Sequence, residues 1–535
     1  MSSSIHALNR MAVGDILRRS TMRHPDKVAA VDKEKRVTYR QLNDTANRFA
    51  RFLHDQGLQS GDRVACVCLN SVEFLAVMFG VAKAGMVWVP INPLLAAPDI
   101  AYIIEHSDAR LLVVEDSLFA KVEPILPGLN LLESIVTLPI AGGEIQTGIL
   151  AFPQAIAPFS AEERYVDMRS EDLALIMYTS GTTGKPKGVM QNHLSVCVAA
   201  LGNVIEMEMQ KDDVASCMMP LFHCAQHVLA MSMLAVGGTL IILRGFEPAS
   251  FFRTVEKEGM TWMFALPVMY RSVLDHPEAG HYDTSSLRYC LYAMAPMDEP
   301  TLRRGIERFG ARFALATGQT EMYPATMVFK PEEQLRRFGS YWGTSSLILD
   351  TAIMDEEGNF LPPGEIGEIV HRGPTVMMGY WKNEQATEEA RTHGWHHTGD
   401  LGFWDADGQL QFVDRKKDMI KSGGENVPSI KVESVLLKDS RVMNAAAVGL
   451  PHARWSEGVT GFVTLKPGAA CTEAELIAHC RSELAGFEVP KAIVFLEQFP
   501  VTATGKIQKN VLRQRYASYY DNQADEQQTM LDTRQ

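Results

Sequence analysis

Apolar residues recur at helical spacing in YRQLNDTANRFARFLHDQG (39–57), and the run stops at a glycine. DRVACVCL (62–69) then reads as a buried strand, and SVEFLAVMFGVAKAG (71–85) as the next helix. This alternation continues to about residue 350 and predicts a largely parallel sheet covered by helices. The longest apolar run, 228–243, is interrupted by Gly237-Gly238. It predicts a core helix, a tight turn and a buried strand, because it falls short of the roughly 20 residues a membrane-spanning helix needs.

From about residue 347 the pattern changes. LILDTAIMDEEGNFLPPGEIGEIVHRG reads as strand, turn, strand, with Gly and Pro as punctuation. After GQLQFVDRKKDMIKSGGEN the elements become short and mixed: a helix near 429–438, strands near 445–449 and 460–465, and a helix near 473–484. The expected fold is therefore α/β: a large N-terminal domain of helix-covered sheets with a small β-barrel-like part (1–415), then a small α+β C-terminal domain (416–518). A polar, disordered tail is expected over 519–535.

A chain of 535 residues is long enough for about two to four domains. With 46% hydrophobic and 21% charged residues it reads as globular, and the net charge of −13 argues against a general nucleic-acid or membrane-surface binder. The N-terminal stretch lacks the apolar core of a signal peptide. Eight scattered cysteines read as reduced thiols of a cytoplasmic protein, the single Cys66-x-Cys68 pair being a weak metal signal. The oligomeric state stays open, a homodimer included.

The chemistry concentrates in MYTSGTTGKPKGVM (177–190). Gly181 and Gly184 let the backbone approach an anion. Thr179, Ser180, Thr182 and Thr183 add hydroxyls, and Lys185 and Lys187 add positive charge. The loop is not a Walker A sequence: only two residues separate its glycines, and Pro186 follows Lys185 where that motif has Ser or Thr and then a helix. GVMQNH reads as a strand, so the loop joins two strands.

The string YTSGTTGKPKG resembles the signature of the adenylate-forming superfamily of acyl- and aryl-CoA synthetases, luciferases and adenylation domains. Further motifs follow in that family's order: TGQTE (317–321), GEI (364–366), GY (379–380), HTGD (397–400), DRKKDMIKSGGENV (414–427) and PVTATGKIQK (500–509). The resemblance implies an ATP-dependent ligase. A carboxylate attacks the α-phosphate of ATP to give acyl-AMP and pyrophosphate, and the acyl group then passes to a thiol, usually that of coenzyme A. It implies that the 180–187 loop holds the β- and γ-phosphates. Thr320 would reach the α-phosphate, Glu321 would hold Mg²⁺, Asp400 would accept both ribose hydroxyls, and Arg415 would support the ribose and phosphate side. Lys506 would bridge the acid and the α-phosphate. The resemblance also places a hinge at Lys417, Gly424 in a tunnel for the thiol arm of CoA, and Trp455 and Phe487 among contacts to CoA.

Two positions depart from the family pattern. Thr317 stands where an adenine-stacking Tyr is usual, and the turn at 293–296 reads AMAP, with Met294 in place of a small residue. The acid pocket is expected around Phe222, His223, Ala293, Ala295, Thr317 and Met322, with His223 beside the carboxylate. Its apolar lining fits a medium- or long-chain fatty acid, with a benzoate- or cinnamate-like acid as the alternative. Without a fused carrier domain, free CoA is the expected acceptor, and an acyl-AMP ligase loading a carrier protein is the remaining reading.

Overall fold

A computed structural model describes residues 8–143, 149–179, 185–293, 296–501 and 507–521. Helix α1 (Val13–Arg23) opens the described chain. The helix predicted from residue 39 spans Tyr39–Asp55. Thr38 caps it: the threonine side chain and Gln41 exchange bonds with each other's backbone. The expected strand and helix follow at Arg63–Val67 and Val72–Lys83.

Among the described residues the strands form three sheets. In the eight-stranded sheet, parallel strands lead to β1 (Leu173–Thr179), which pairs antiparallel with β2 (Lys187–Asn192). The strands on either side of residues 180–184 thus pair as a hairpin, as Pro186 predicts. Next come the helices α2 (His193–Glu206) and α3 (Cys224–Val236). Helix α3 ends at Gly237, whose φ of 89° gives the predicted tight turn into the buried strand Thr239–Ile242.

The thirteen-stranded sheet has parallel strands Val214–Cys217, Trp262–Ala265, Tyr289–Tyr292 and Arg312–Thr317 at its centre. An antiparallel extension carries the chain from Met327–Phe329 through Tyr341–Ser345 and on to β4 (His396–Trp404) and β5 (Leu410–Arg415). This extension is the smaller β part, and the pairing of Tyr341 with Gln411 joins it to the large sheet.

After Arg415 the chain enters a five-stranded sheet that begins at Ile420–Ser422. Its centre is a long hairpin of Val442–His452 and Ser456–Leu465, covered by the helices Ser429–Leu436 and Glu473–Glu483. The described chain continues to residue 521. Tyr520 stacks edge-on against His452 at 4.7 Å, and its hydroxyl lies 2.9 Å from that of Thr460. This aromatic contact packs Tyr520 against the hairpin.

Candidate functional site

The antiparallel pair β4 and β5 sets the first half of the site. Asp400 and Arg415 are direct cross-strand partners, with Arg415 Nε 3.5 Å from Asp400 Oδ1. Gln319 reaches across to them: its Nε2 donates to Asp400 Oδ2 at 2.9 Å and to the carbonyl of Thr398 at 2.8 Å. Asp400 is 6% exposed, and its carboxylate is held by the Gln319 hydrogen bond and the Arg415 ion pair and aimed by its strand. Such a group accepts hydrogen bonds only, which suits a diol.

The second half forms around a single turn at Thr320–Met322, directly after the central strand that ends at Thr317. Gln191 on β2 donates to the carbonyl of Thr320 at 3.2 Å, and Cys224 Sγ lies 3.4 Å from the Thr320 hydroxyl. The turn is thereby tied to the strand after the glycine loop and to the start of α3. His223 caps α3, with Nδ1 accepting from the backbone N–H of Ala225 at 3.4 Å.

A third connection comes from β3 (Gly379–Tyr380), which pairs with Val189 and Met190 of β2. Gly379 has φ 147°, and a Cβ there would meet Thr387 at 2.7 Å, so only glycine fits. The pairing delivers the Tyr380 hydroxyl to Glu321 Oε1 at 2.9 Å and brings Lys187 Nζ to 4.8 Å from the tyrosine ring centre. Burial, and the charge of Glu321, push the Tyr380 hydroxyl far above its usual pKa, so it stays a donor. Lys185 lies 4.8 Å from the ring centre of Tyr102.

The structure thus links Lys187 to Glu321 through Tyr380, sets Thr179 beside Lys187 and Thr320 beside Cys224, the neighbour of His223, and holds Asp400 and Arg415 as a pair bridged to the turn by Gln319, while Lys185 lies against Tyr102. Ser180, Gly181, Thr182, Thr183, Gly184, Ala295 and Lys506 lie outside the described residues, as does Met294. Gln319, Gln191 and Tyr380 were missed as site residues. Gln319 and Tyr380 sit inside the quoted TGQTE and GY strings, and their flanking positions were the available signal.

Behind α3, the side chain of His227 is fully buried. Its Nδ1 bonds the Tyr323 hydroxyl, and its ring stacks on Trp88 at 4.8 Å. Burial depresses its pKa to about 3, so the ring is neutral and acts as packing that fixes the helix carrying His223.

Two positions of the expected nucleotide and thiol subsites can be described. The hydroxyl of Thr317 is buried without a partner among the described residues, so this position offers a hydrogen bond where stacking is usual in the family. Gly424 has a φ of 89°, and a Cβ there would meet nothing within 4 Å among the described residues. Gly423 is the crowded position, its Cβ site lying 2.9 Å from the Trp455 ring. Trp455 itself is flanked by Arg454 at 4.6 Å and Lys491 at 5.2 Å from the ring centre, and Phe487 is 41% exposed.

The helix-covered sheets, the hairpin of β1 and β2, the Thr-Glu turn and the buried Asp400 together have the architecture of an adenylate-forming ligase. Comparison with known proteins agrees: the chain belongs to the AMP-binding enzyme family, whose model matches residues 17–381, with the family's C-terminal domain matching 431–506. Feruloyl-CoA synthase of an Amycolatopsis species is 34% identical over 481 residues, 90% of this chain and 94% of the relative. The long-chain-fatty-acid–CoA ligase FadD13 of Mycobacterium tuberculosis is 33% identical over 519 residues, 95% and 99% of the two chains. Among solved structures, the anthranilate CoA ligase AuaEII in complex with anthranoyl-AMP superposes with a TM-score of 0.86 at 28% identity, covering 94% of this chain and 97% of that one. The protein is an AMP-forming acid–thiol ligase; for this family ATP and CoA are the implied co-substrates. No helix among the described residues is long and apolar enough to cross a membrane.

Proposed function

We propose that this ligase activates an apolar monocarboxylic acid, a medium- or long-chain fatty acid in the first reading, and transfers the acyl group to coenzyme A. The observation that carries it is the entrance of α3, where Met219, Phe222, His223 and Ala225 stay partly exposed. These side chains are mostly apolar, and the flexible thioether of Met219 adapts to a flexible chain. The likeness to a feruloyl-CoA synthase and an anthranilate CoA ligase favours a second reading, an aryl acid. Turnover with ATP, Mg²⁺ and CoA on acetate, hexanoate, octanoate, palmitate, benzoate and 4-coumarate separates the two. A maximum on the alkyl acids supports the first reading, and one on the aromatic acids replaces it. Pyrophosphate release without thioester would point to a carrier protein as acceptor. Ala225→Phe should cut kcat/KM for the longest acid accepted by ~10-fold or more, as expected for overpacking, and spare acetate or hexanoate. Equal loss across the series would remove α3 from the acid pocket.

In this reading the carboxylate lies beside His223, and Lys506 bridges it to the α-phosphate. Asp400 orients the ribose, and Lys185, Lys187 and the loop between β1 and β2 receive the departing pyrophosphate. Catalysis is then mainly positioning plus stabilisation of charge on the phosphoryl oxygens. Magnesium fits Glu321. No group of three or more His, Cys, Asp or Glu able to hold a metal converges among the described residues, so phosphate oxygens and water would complete the shell, as this cation prefers. The ion would neutralise charge on the phosphates.

We further propose that residues 1–415 form the adenylation core and that the following domain, from 416, turns about Lys417 between the half-reactions to present Gly424, Trp455 and Phe487 to CoA. The change of sheet after Arg415 supports this division. A contact straddles the hinge: buried Asp414 accepts from the Ser429 hydroxyl at 2.7 Å, and Lys509 Nζ lies 2.7 Å from that same hydroxyl. Rotation would have to release it. A cytoplasmic location belongs to the same reading, supported by eight free cysteines, seven of them buried.

A further inference from the structure

A cavity of about 390 Å³ lies away from the residues assigned above, between α1, α2 and the end of α3. The N-cap of α3, His223, and the cavity wall at Ala235 are twelve residues apart along the helix, roughly 18 Å at the helical rise. The volume falls within the range of small-molecule sites, which begins near about 300 Å³. Its walls are apolar: Met11, Ile16, Met22 and Leu201 contribute, and Met22 and Leu201 stand 73% and 48% exposed at its mouth. Large apolar side chains left in water beside an open cavity mark a binding surface.

The rim is cationic. Arg19 and Arg23 stand one turn apart on α1, so both guanidinium groups line the same side. The neighbouring carboxylate, Asp15, is already engaged by Arg10 at 3.2 Å and Arg18 at 3.1 Å, and Arg19 reaches it only at 3.9 Å. Three arginines thus share one carboxylate, a local positive excess in a chain of net charge −13. Arg23 donates to Ser20 Oγ at 2.9 Å and to the Ala235 carbonyl at 2.5 Å, which holds its plane against the rim while a guanidinium keeps further donors.

We propose that this cavity binds a monomeric anionic amphiphile, a fatty carboxylate of medium chain length. Its head pairs with Arg19 and Arg23, and its tail lies over Met11, Ile16 and Leu201. Guanidinium forks match carboxylates, and methionine walls accommodate flexible chains. The site is separate from the acid pocket, so it stands whether the catalysed acid is alkyl or aryl.

A diazirine-bearing decanoate, used below its micellar concentration on the full-length protein with unlabelled decanoate as competitor, tests this. Photolabel located by mass spectrometry should fall within residues 11–23 and 197–201. Arg19→Glu should reduce that labelling by ~10-fold or more, because a charge reversal replaces attraction with repulsion, and leave CoA-ligase turnover within twofold. Leu201→Trp, which fills the cavity from its exposed side, should do the same without touching the arginine cluster. Label confined to the 222–225 and 317–322 segments overturns the proposal, as does labelling equal in wild type and both variants. A third arm adds vesicles of phosphatidylglycerol: labelling that needs the vesicles would assign the patch to a membrane surface and overturn the monomer reading.

Discussion

Lys506→Ala should lower release of pyrophosphate from ATP and acid by ~1,000-fold or more, the scale of losing a principal electrostatic stabiliser. The same protein should still convert supplied acyl-AMP and CoA to thioester. The asymmetry follows from the chemistry. In the first half-reaction negative charge gathers where the carboxylate meets the α-phosphate, and a mobile ammonium on a flexible stem is suited to meet it. In the second half the phosphate is a leaving group already activated, and attack is by the CoA thiol. The role of Lys506 rests on its place in the TATGK string. Loss of both halves in a protein with unchanged circular dichroism would contradict the rotation of the small domain.

Asp400→Ala should lower kcat/KM for ATP by roughly 100-fold or more, because hydrogen bonds to a charged group contribute about 1.5–3 kcal/mol each and two ribose hydroxyls lose their acceptor. The substitution also strands the Gln319 amide, which donates to Asp400 at 2.9 Å, and the Arg415 guanidinium. Because acyl-AMP carries the same ribose, both half-reactions should suffer, which distinguishes this variant from Lys506→Ala. Measuring the two halves separately gives the answer, and an unchanged kcat/KM for ATP would remove Asp400 from the nucleotide site.

Much of the fold is legible because local signals and tertiary packing agree. The helix from Tyr39 announces itself through its period and its Thr38–Gln41 cap. Pro186 tells the loop after Thr179 apart from a strand-to-helix phosphate loop, and the hairpin of β1 and β2 follows. Non-local register is not legible in this way. Gly379-Tyr380 reads as a short motif, yet its role comes from pairing with Val189 and Met190, nearly two hundred residues earlier, and no periodicity encodes that. The bridge from Gln319 to Asp400 depends likewise on how the central strand meets β4. Gly424 shows the limit of reading a glycine from sequence. Its type signals either a close approach or a left-handed backbone, and its φ of 89° shows that the second applies.

Transfer of oxygen is the most direct test of the chemistry. If the acid is supplied with ¹⁸O in its carboxylate, one labelled oxygen should appear in AMP, because that oxygen bonds the α-phosphorus and stays there when the CoA thiol takes the acyl group. Label recovered in pyrophosphate or inorganic phosphate, with none in AMP, would contradict an acyl-adenylate and the assignment of the site with it.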